Sequence, residues 1–249
     1  MAPGLIRVGC AGWSLPRERQ TEFGAGASHL QRYATRLDAT EINSSFHRRH
    51  APWVWQRWAD AVPADFRFSV KLPKEITHER RLVDCAQPLA AFLSDARLLG
   101  PKLGCLLVQL PPSLAFDPNV APAFLGELRA RHEGGIALEP RHASWFAPQA
   151  DALLVAHRIA RVLADPVRHE GGRWPGGWPG LVYLRLHGSP RVYYASYEPA
   201  LLQALARRIA QEAEAGRTVW CIFDNTASGA AAGNALDLLH ALSAKEPPP

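Results

Sequence analysis

The 249-residue chain has only four cysteines, one methionine and no apolar run long enough to cross a bilayer. Cys10, Cys85, Cys105 and Cys221 stand far apart and form no CxxC pair, which excludes a zinc knuckle and a disulfide ladder. Three of them lie in apolar strand-like runs, where buried, unreactive thiols are expected. A charged-then-apolar leader is missing at the N-terminus, so the expected setting is the cytoplasm, away from membranes. Arginine supplies most of the net charge of +5, but it is scattered among acids without a basic run. Nucleic acid is therefore a weakly supported partner. The first strand-like run is followed by GCAGWS rather than GxGxxG, which argues against a dinucleotide-binding doubly wound sheet.

With 47% hydrophobic and 20% charged residues, the chain has the composition of a globular domain that needs no staples. Strand-like runs recur at residues 6–10, 39–43, 66–71, 105–110, 136–141, 161–164, 181–186 and 218–223. Helical patterning separates them at 28–37, 52–61, 88–99, 118–131, 148–159, 199–215 and 230–242. Several of these helices open on proline, with Ser28 and Asp117 as candidate caps. Only the interval after strand six lacks a helix; it carries the Gly/Pro/Trp-rich stretch DPVRHEGGRWPGGWPG. The expectation is an α/β fold, a single (β/α)8 TIM-type barrel of parallel strands over residues 1–249, with that one helix missing. Residues 244–249, ending in PPP, are expected to form a disordered tail.

Polar residues gather where the strands end. Strand five runs IALEPRH, and its period of two sets Glu139 and Arg141 on one face and Ile136 and Leu138 on the other. In a barrel the outer face meets helices and must be apolar, while the inner face near the C-terminal rim can be polar. The same alternation pairs Glu41 with Asn43, Ser69 with Lys71, and Arg185 with His187. Gln109, Asp165, Asp224, Asn225 and Trp13 also fall at or just beyond strand ends. The candidate proton carriers and catalytic groups are Glu41, Glu139, His187 and Lys71. Asn43, Gln109, Arg141, Arg185, Asn225 and Trp13 are the candidate substrate contacts, with the two arginines suited to a carboxylate or phosphate. A buried ion-pair lattice filling the top of the barrel is the structural alternative. No cofactor is expected, and a divalent metal, if one binds, would use Glu139, Asp165, His187 and Asp224.

Seven stretches occur together: VGCAGWS at 8–14, TEINSSFHR at 40–48, FRFSVKLPKEITHERRL at 66–82, KLGCLLVQLPPS at 102–113, EPRHASWF at 139–146, YLRLHG at 183–188 and FDNTASGAAAGNA at 223–235. In this set and order the chain resembles the DUF72 (YecE-like) family over nearly its whole length. The resemblance implies a TIM-type barrel and imports no known reaction. Cys10 stands where members often carry a small hydroxyl residue, which speaks against an essential thiol there.

The leading functional expectation is an enzyme of hydrolase or lyase type acting on a small anionic substrate in the barrel mouth. One alternative is a metal-dependent phosphoesterase, with nucleic acid as a conceivable substrate. Another is a non-catalytic barrel that binds a metabolite or nucleic acid. The sequence gives no indication of oligomeric state.

Overall fold

A computed structural model describes residues 2–244. The expected tail, 244–249, lies outside the described residues apart from Ala244. Six strands run in parallel as consecutive neighbours: β10 (Thr218–Phe223), β1 (Ile6–Ala11), β2 (Ala39–Ile42), β3 (Arg67–Lys71), β4 (Leu103–Gln109) and β5 (Gly135–Glu139). β9 (Leu181–Leu186) lies on the other side of β10, also parallel. The remaining staves are supplied by one run broken at Val162. Its first half, β6 (Ala160–Arg161), pairs with β5, and its second half, β7 (Leu163–Asp165), pairs with β9. The run thus bonds to both flanks, and the sheet curls into a barrel of eight staves, as the sequence pattern predicts.

The helices form the outer layer: α1 (His29–Tyr33), α2 (Ser44–His47), α3 (Pro52–Asp60), α4 (Ala86–Ala96), α5 (Val120–Arg131), α6 (Pro148–Ala156), α7 (Pro199–Glu214) and α8 (Ala230–Ser243). Ser28 caps α1 through a reciprocal box with Gln31, as expected of a serine before a helix. The helix is shorter than the pattern at 28–37 predicts, because the chain tightens into turns after Tyr33. Asp117 accepts from the backbone N–H of Asn119 and Val120, while Asn119 itself holds the cap position of α5. Of the three tryptophans in α3, Trp55 is buried and Trp58 half-buried, but Trp53 faces solvent with Arg57 over its ring.

No helix follows β7. In its place a 3-10 turn (Glu170–Gly172) leads to β8 (Gly176–Gly177), which pairs antiparallel with the free edge of β6. Asp151 of α6 holds this return by accepting from the Gly177 N–H at 2.9 Å and from the Arg161 guanidinium at 3.3 Å. Trp178 follows and packs against the lumen of the barrel.

Two apolar bodies result. Strand and helix side chains, including Ile136, Leu138, Leu184 and Leu186, fill the outer layer. Ala39, Cys105, Leu107, Ala137, Ala160, Val162, Leu181, Tyr183, Trp220 and Ile222 fill the lumen. Small residues on most staves leave room for Trp220, and a Cβ at Gly104 would lie 2.7 Å from that indole. Tyr183 stacks on Trp220 with centroids 6.0 Å apart, so the plug changes from apolar to polar as it rises.

The joint between β1 and β2 depends on one side chain. Tyr33 Oη accepts from the Cys10 N–H and donates to the Ala39 carbonyl, both at 2.8 Å, deep in the core. Tyr33→Phe leaves both backbone groups buried and unpaired, which costs about 1–3 kcal/mol. Urea denaturation should show that loss with an unchanged circular dichroism spectrum; an unaltered midpoint would contradict this account of the joint.

Candidate functional site

Period two brings Glu41, Ser69, Lys71, Gln109, Glu139, Arg185 and, just past β10, Asp224 to the upper lumen. The ladder sets Gln109 level with Glu139 and Glu41 level with Ser69. Arg185 is the hub. Its Nε and Nη2 donate to the two oxygens of Glu41 at 3.0 and 2.7 Å, Nη1 donates to Glu139 Oε2 at 2.6 Å, and Nη2 also reaches Asp224 Oδ2 at 2.9 Å. Its side chain is 1% exposed. Tyr183 Oη donates to Glu41 Oε2 at 2.8 Å and shares a 2.7 Å hydrogen bond with Ser69 Oγ.

A second tier lies above the hub. Glu139 Oε1 accepts from Arg141 Nε at 2.6 Å and is also met by Arg141 Nη2. His187 stands between two acids, with Nε2 3.3 Å from Glu139 Oε1 and Nδ1 2.9 Å from Asp224 Oδ2, the latter contact lying off the axis of the ring N–H. Nη2 of Arg141 is 3.2 Å from the same Nε2. Gly188 takes a positive φ of 93°, which turns the chain sharply after His187, and Tyr193 places its ring edge-on to the imidazole at 5.8 Å.

The charge states follow from this arrangement. Burial alone raises the Glu139 carboxyl, but Arg185, His187 and Arg141 outweigh it and hold the group well below the usual carboxylate range. Asp224 is likewise held down by Arg185 and His187 against the effect of burial and of Glu139. Burial lowers His187, yet Asp224 and Glu139 lift it above its usual 6.5. Lys71 differs from all of these. Burial and the Arg185 charge bring its ammonium down to about 8, despite the pull of Glu41, Glu139 and Asp224. It has no hydrogen-bond or ion-pair partner among the described residues, and Nζ sits 4.1 Å from the centre of the Phe46 ring.

Several expected roles change. Arg185 was expected to grip a substrate anion; three carboxylates take up most of its donors instead. Glu41 and Glu139 were expected to move protons, yet every carboxyl oxygen of theirs accepts from Arg185, Arg141 or Tyr183, which makes them fixed counter-charges. Asp165 was expected at the mouth. The β7–β9 register places Ala164 beside inward Arg185 and Asp165 beside outward Leu186, so Asp165 accepts from Tyr197 Oη at 2.7 Å instead. Of the set Glu139, Asp165, His187 and Asp224, only Asp165 is taken away, while the other three lie together at the mouth; among the described residues no group of three or more His, Cys, Asp or Glu side chains is arranged to hold a metal ion. Asn225 fastens a loop, donating to the Ala195 carbonyl at 3.0 Å and to Asn234 Oδ1 at 2.9 Å. Trp13 stacks edge-on against Trp58 at 5.3 Å, in the layer between loop and α3. Asn43 keeps a buried Oδ1 without a partner at the start of α2.

Sequence reasoning missed His78. It lies in a π-helical turn, Glu75–Glu79, packs edge-on to Phe46 at 4.9 Å, and bonds Thr77 Oγ1 through Nδ1 at 2.8 Å. Burial and the nearby charges of Lys71 and Arg141 lower its pKa, which brings it into the same electrostatic neighbourhood as the mouth. A π-turn produces no hydrophobic period of its own; the only signal was a histidine seven residues after strand-end Lys71, inside the stretch FRFSVKLPKEITHERRL.

A recess opens above the second tier. Its walls include Arg141, Arg168, His169 and His187 together with Pro140, Phe146, Val162 and Ala164, and they contain no acid. His169 Nε2 lies 3.2 Å from the Arg141 carbonyl, and Arg161 stacks on Phe146 while donating to the Gly171 carbonyl, which ties the helix-free loop to the rim of the recess.

The molecule is thus a TIM-type α/β barrel whose lumen is sealed at the top by a desolvated lattice of acids and arginines. Its sequence matches the profile described as "Protein of unknown function DUF72" over residues 7–249, and the chain belongs to that family. It is 32% identical over 146 residues to the UPF0759 protein YecE of Escherichia coli K12, a match that covers 57% of this chain and 51% of YecE. The matched stretch thus spans about half the length of that relative. The UPF0759 protein YunF of Bacillus subtilis is 24% identical, with 96% of this chain and 95% of YunF covered. A crystal structure of a DUF72 family protein from Enterococcus faecalis superposes with a TM-score of 0.79 at 24% identity, covering 98% of this chain and 97% of that one. That likeness establishes the fold.

Two outcomes follow for stability. Arg185→Met leaves three carboxylates buried without their counter-charge, and chemical denaturation should show a loss of about 3–5 kcal/mol; a loss below about 1 kcal/mol would mean the lattice is solvated. Glu139 and Asp224 have folded pKa values below their unfolded ones, so their contribution is complete above the ordinary carboxylate range and fades as pH falls through the folded values. His187 has the opposite sign: its contribution is present in acid and lost as pH rises through a folded pKa above 6.5. Replacing Glu139 by Gln should flatten the acid limb of a stability-versus-pH curve, and an unchanged limb would contradict the assignment.

Proposed function

We propose that the barrel mouth is the active site of an enzyme of lyase or hydrolase type acting on a small anionic substrate, a carboxylate or a phosphate ester. One observation carries the reading: the recess above the ion-pair lattice is walled by Arg141, Arg168, His169 and His187 without a single acid. Two arginines beside His187, over a low-dielectric floor, favour an anion more than any one residue would. Arg141 keeps Nη1 uncommitted to any carboxylate, and a guanidinium so placed can meet a carboxylate or phosphate oxygen.

The proton chemistry shifts accordingly. Glu41 and Glu139 serve as fixed anions that orient Arg185, Arg141 and His187. Lys71, poised near about 8, and His187 are the groups whose charge can change in the working pH range. Asn43, with its unpaired buried Oδ1, and Gln109 complete the polar rim. No described helix is long and apolar enough to cross a membrane. The four unpaired, buried thiols suit a reducing compartment, which supports a cytoplasmic setting.

Isothermal titration with inorganic phosphate, and with acetate as the carboxylate analogue, tests the reading. Saturable binding of either anion is expected, weakened about tenfold or more in Arg141→Gln, since a hydrogen bond to a charged group contributes about 1.5–3 kcal/mol. Absence of binding by both anions, or binding indifferent to Arg141→Gln, would overturn it.

A further inference from the structure

We infer that Lys71 is a nucleophilic amine that forms an imine with a small carbonyl compound carrying a carboxylate or phosphate group. The inference rests on the anion-binding reading of the mouth and goes further by naming the carbonyl as the reacting group.

The geometry of Lys71 is the starting point. Its side chain rises from the inner face at the end of β3 and is almost fully buried. A buried ammonium ordinarily recovers its lost hydration from a carboxylate or from backbone carbonyls. The chain's other described lysines do this: Lys102 donates to the carbonyls of Ala59 and Val62 at 2.6 and 2.5 Å, and exposed Lys74 pairs with Glu79 at 3.0 Å. Lys71 does neither, although Glu41, Glu139 and Asp224 are close enough to act on its charge. Both oxygens of Glu41 and Glu139 already accept from Arg185, Arg141 or Tyr183, and Asp224 Oδ2 meets Arg185 and His187.

The lattice therefore supplies the negative field without supplying a partner, and among the described residues the amine meets the face of Phe46. The Phe46 contact favours the ammonium slightly, yet burial and Arg185 prevail, so a sizeable neutral fraction exists near pH 8. Its backbone is fixed, because the Lys71 carbonyl accepts from Ser45 Oγ at 2.7 Å and the next N–H bonds to Leu107. A lysine desolvated in this way, beside another cation, meets the requirement for an imine-forming residue.

The step balances without an added redox partner. The neutral Nζ lone pair attacks the carbonyl carbon and a C–N bond forms. The carbonyl oxygen takes up two protons, one lost by the amine and one from solvent or a neighbouring acid, and leaves as water when the C–O bond breaks. A protonated imine remains. His78, which shares the Phe46 ring with Lys71, is the titratable group beside this path; Glu41, Glu139, Asp224 and Arg185 are the charges that act on the amine, and Arg141 acts on His78.

Reductive trapping on the full chain decides the matter. Wild type and Lys71→Arg are incubated in parallel with pyruvate and with dihydroxyacetone phosphate, reduced with cyanoborohydride, and mapped by peptide mass spectrometry. The expected adduct adds the mass of the probe less one oxygen atom and sits on Lys71 at about tenfold or more the occupancy of exposed Lys74, because the lower pKa leaves more neutral amine. Its yield should climb with pH around a midpoint near about 8. Lys71→Arg keeps the charge and should carry no adduct above the Lys74 background. Labelling of Lys71 no greater than that of Lys74 with both probes would overturn the inference. Phosphate titration of the same wild-type sample separates the two readings. Intact phosphate binding with an unlabelled Lys71 overturns the imine alone, whereas loss of both overturns the anion site as well.

Discussion

A single guanidinium governs the upper half of this barrel. Arg185, taken out of water on an inner strand face, must find anions there, and it finds Glu41, Glu139 and Asp224 from three other staves. Each of those acids is in turn tolerable only because the arginine is present. The pairings span the sequence, 144 residues in the case of Glu41, so the lattice can form only when the sheet has closed. Closure and charge neutralisation are thus one event, and the polar floor of the mouth is a by-product of finishing the fold.

That floor sets the character of what lies above it. Glu41 and Glu139, whose oxygens are all occupied, act as fixed anions, and Glu139 with Asp224 holds His187 in place and raises its affinity for a proton. The cations of the second tier then face the recess with capacity to spare, while Lys71 feels the acids' field without touching them. The helix-free loop after β7 contributes to the same end. By substituting β8 and the Arg161–Phe146–Gly171 contacts for a helix, it covers the edge of β6 and brings His169 to the rim.

Much of this was legible in the sequence because a parallel barrel imposes two simple rules: apolar outside against helices, and period two along each strand. Those rules suffice for the strand count, the missing helix and the inward set Glu41, Lys71, Glu139, Arg185. They also exclude Asp165 once the register is known, since it falls opposite outward Leu186; the break at Val162 hid that register. Partner choice was not legible. Residue type alone could not say that Arg185 would be consumed by three acids while Lys71 would be left without one, because that depends on side-chain reach across the lumen. The tie from Asn225 to Asn234 was hidden for a similar reason: Asn234 sits on α8, and only the packed structure brings the two amides together. His78 escaped because a π-turn leaves no periodic trace.

The central claim is that the two arginines of the mouth have divided tasks, Arg185 interior and committed, Arg141 facing the ligand. Nitrogen-15 NMR of the guanidinium Nε–H groups, recorded with and without inorganic phosphate, tests it most directly. The account predicts an Arg185 signal protected from solvent exchange and unmoved by phosphate, beside an Arg141 signal that shifts as phosphate is added. An Arg185 Nε–H that exchanges as fast as that of exposed Arg57, or that itself follows the phosphate titration, would contradict it.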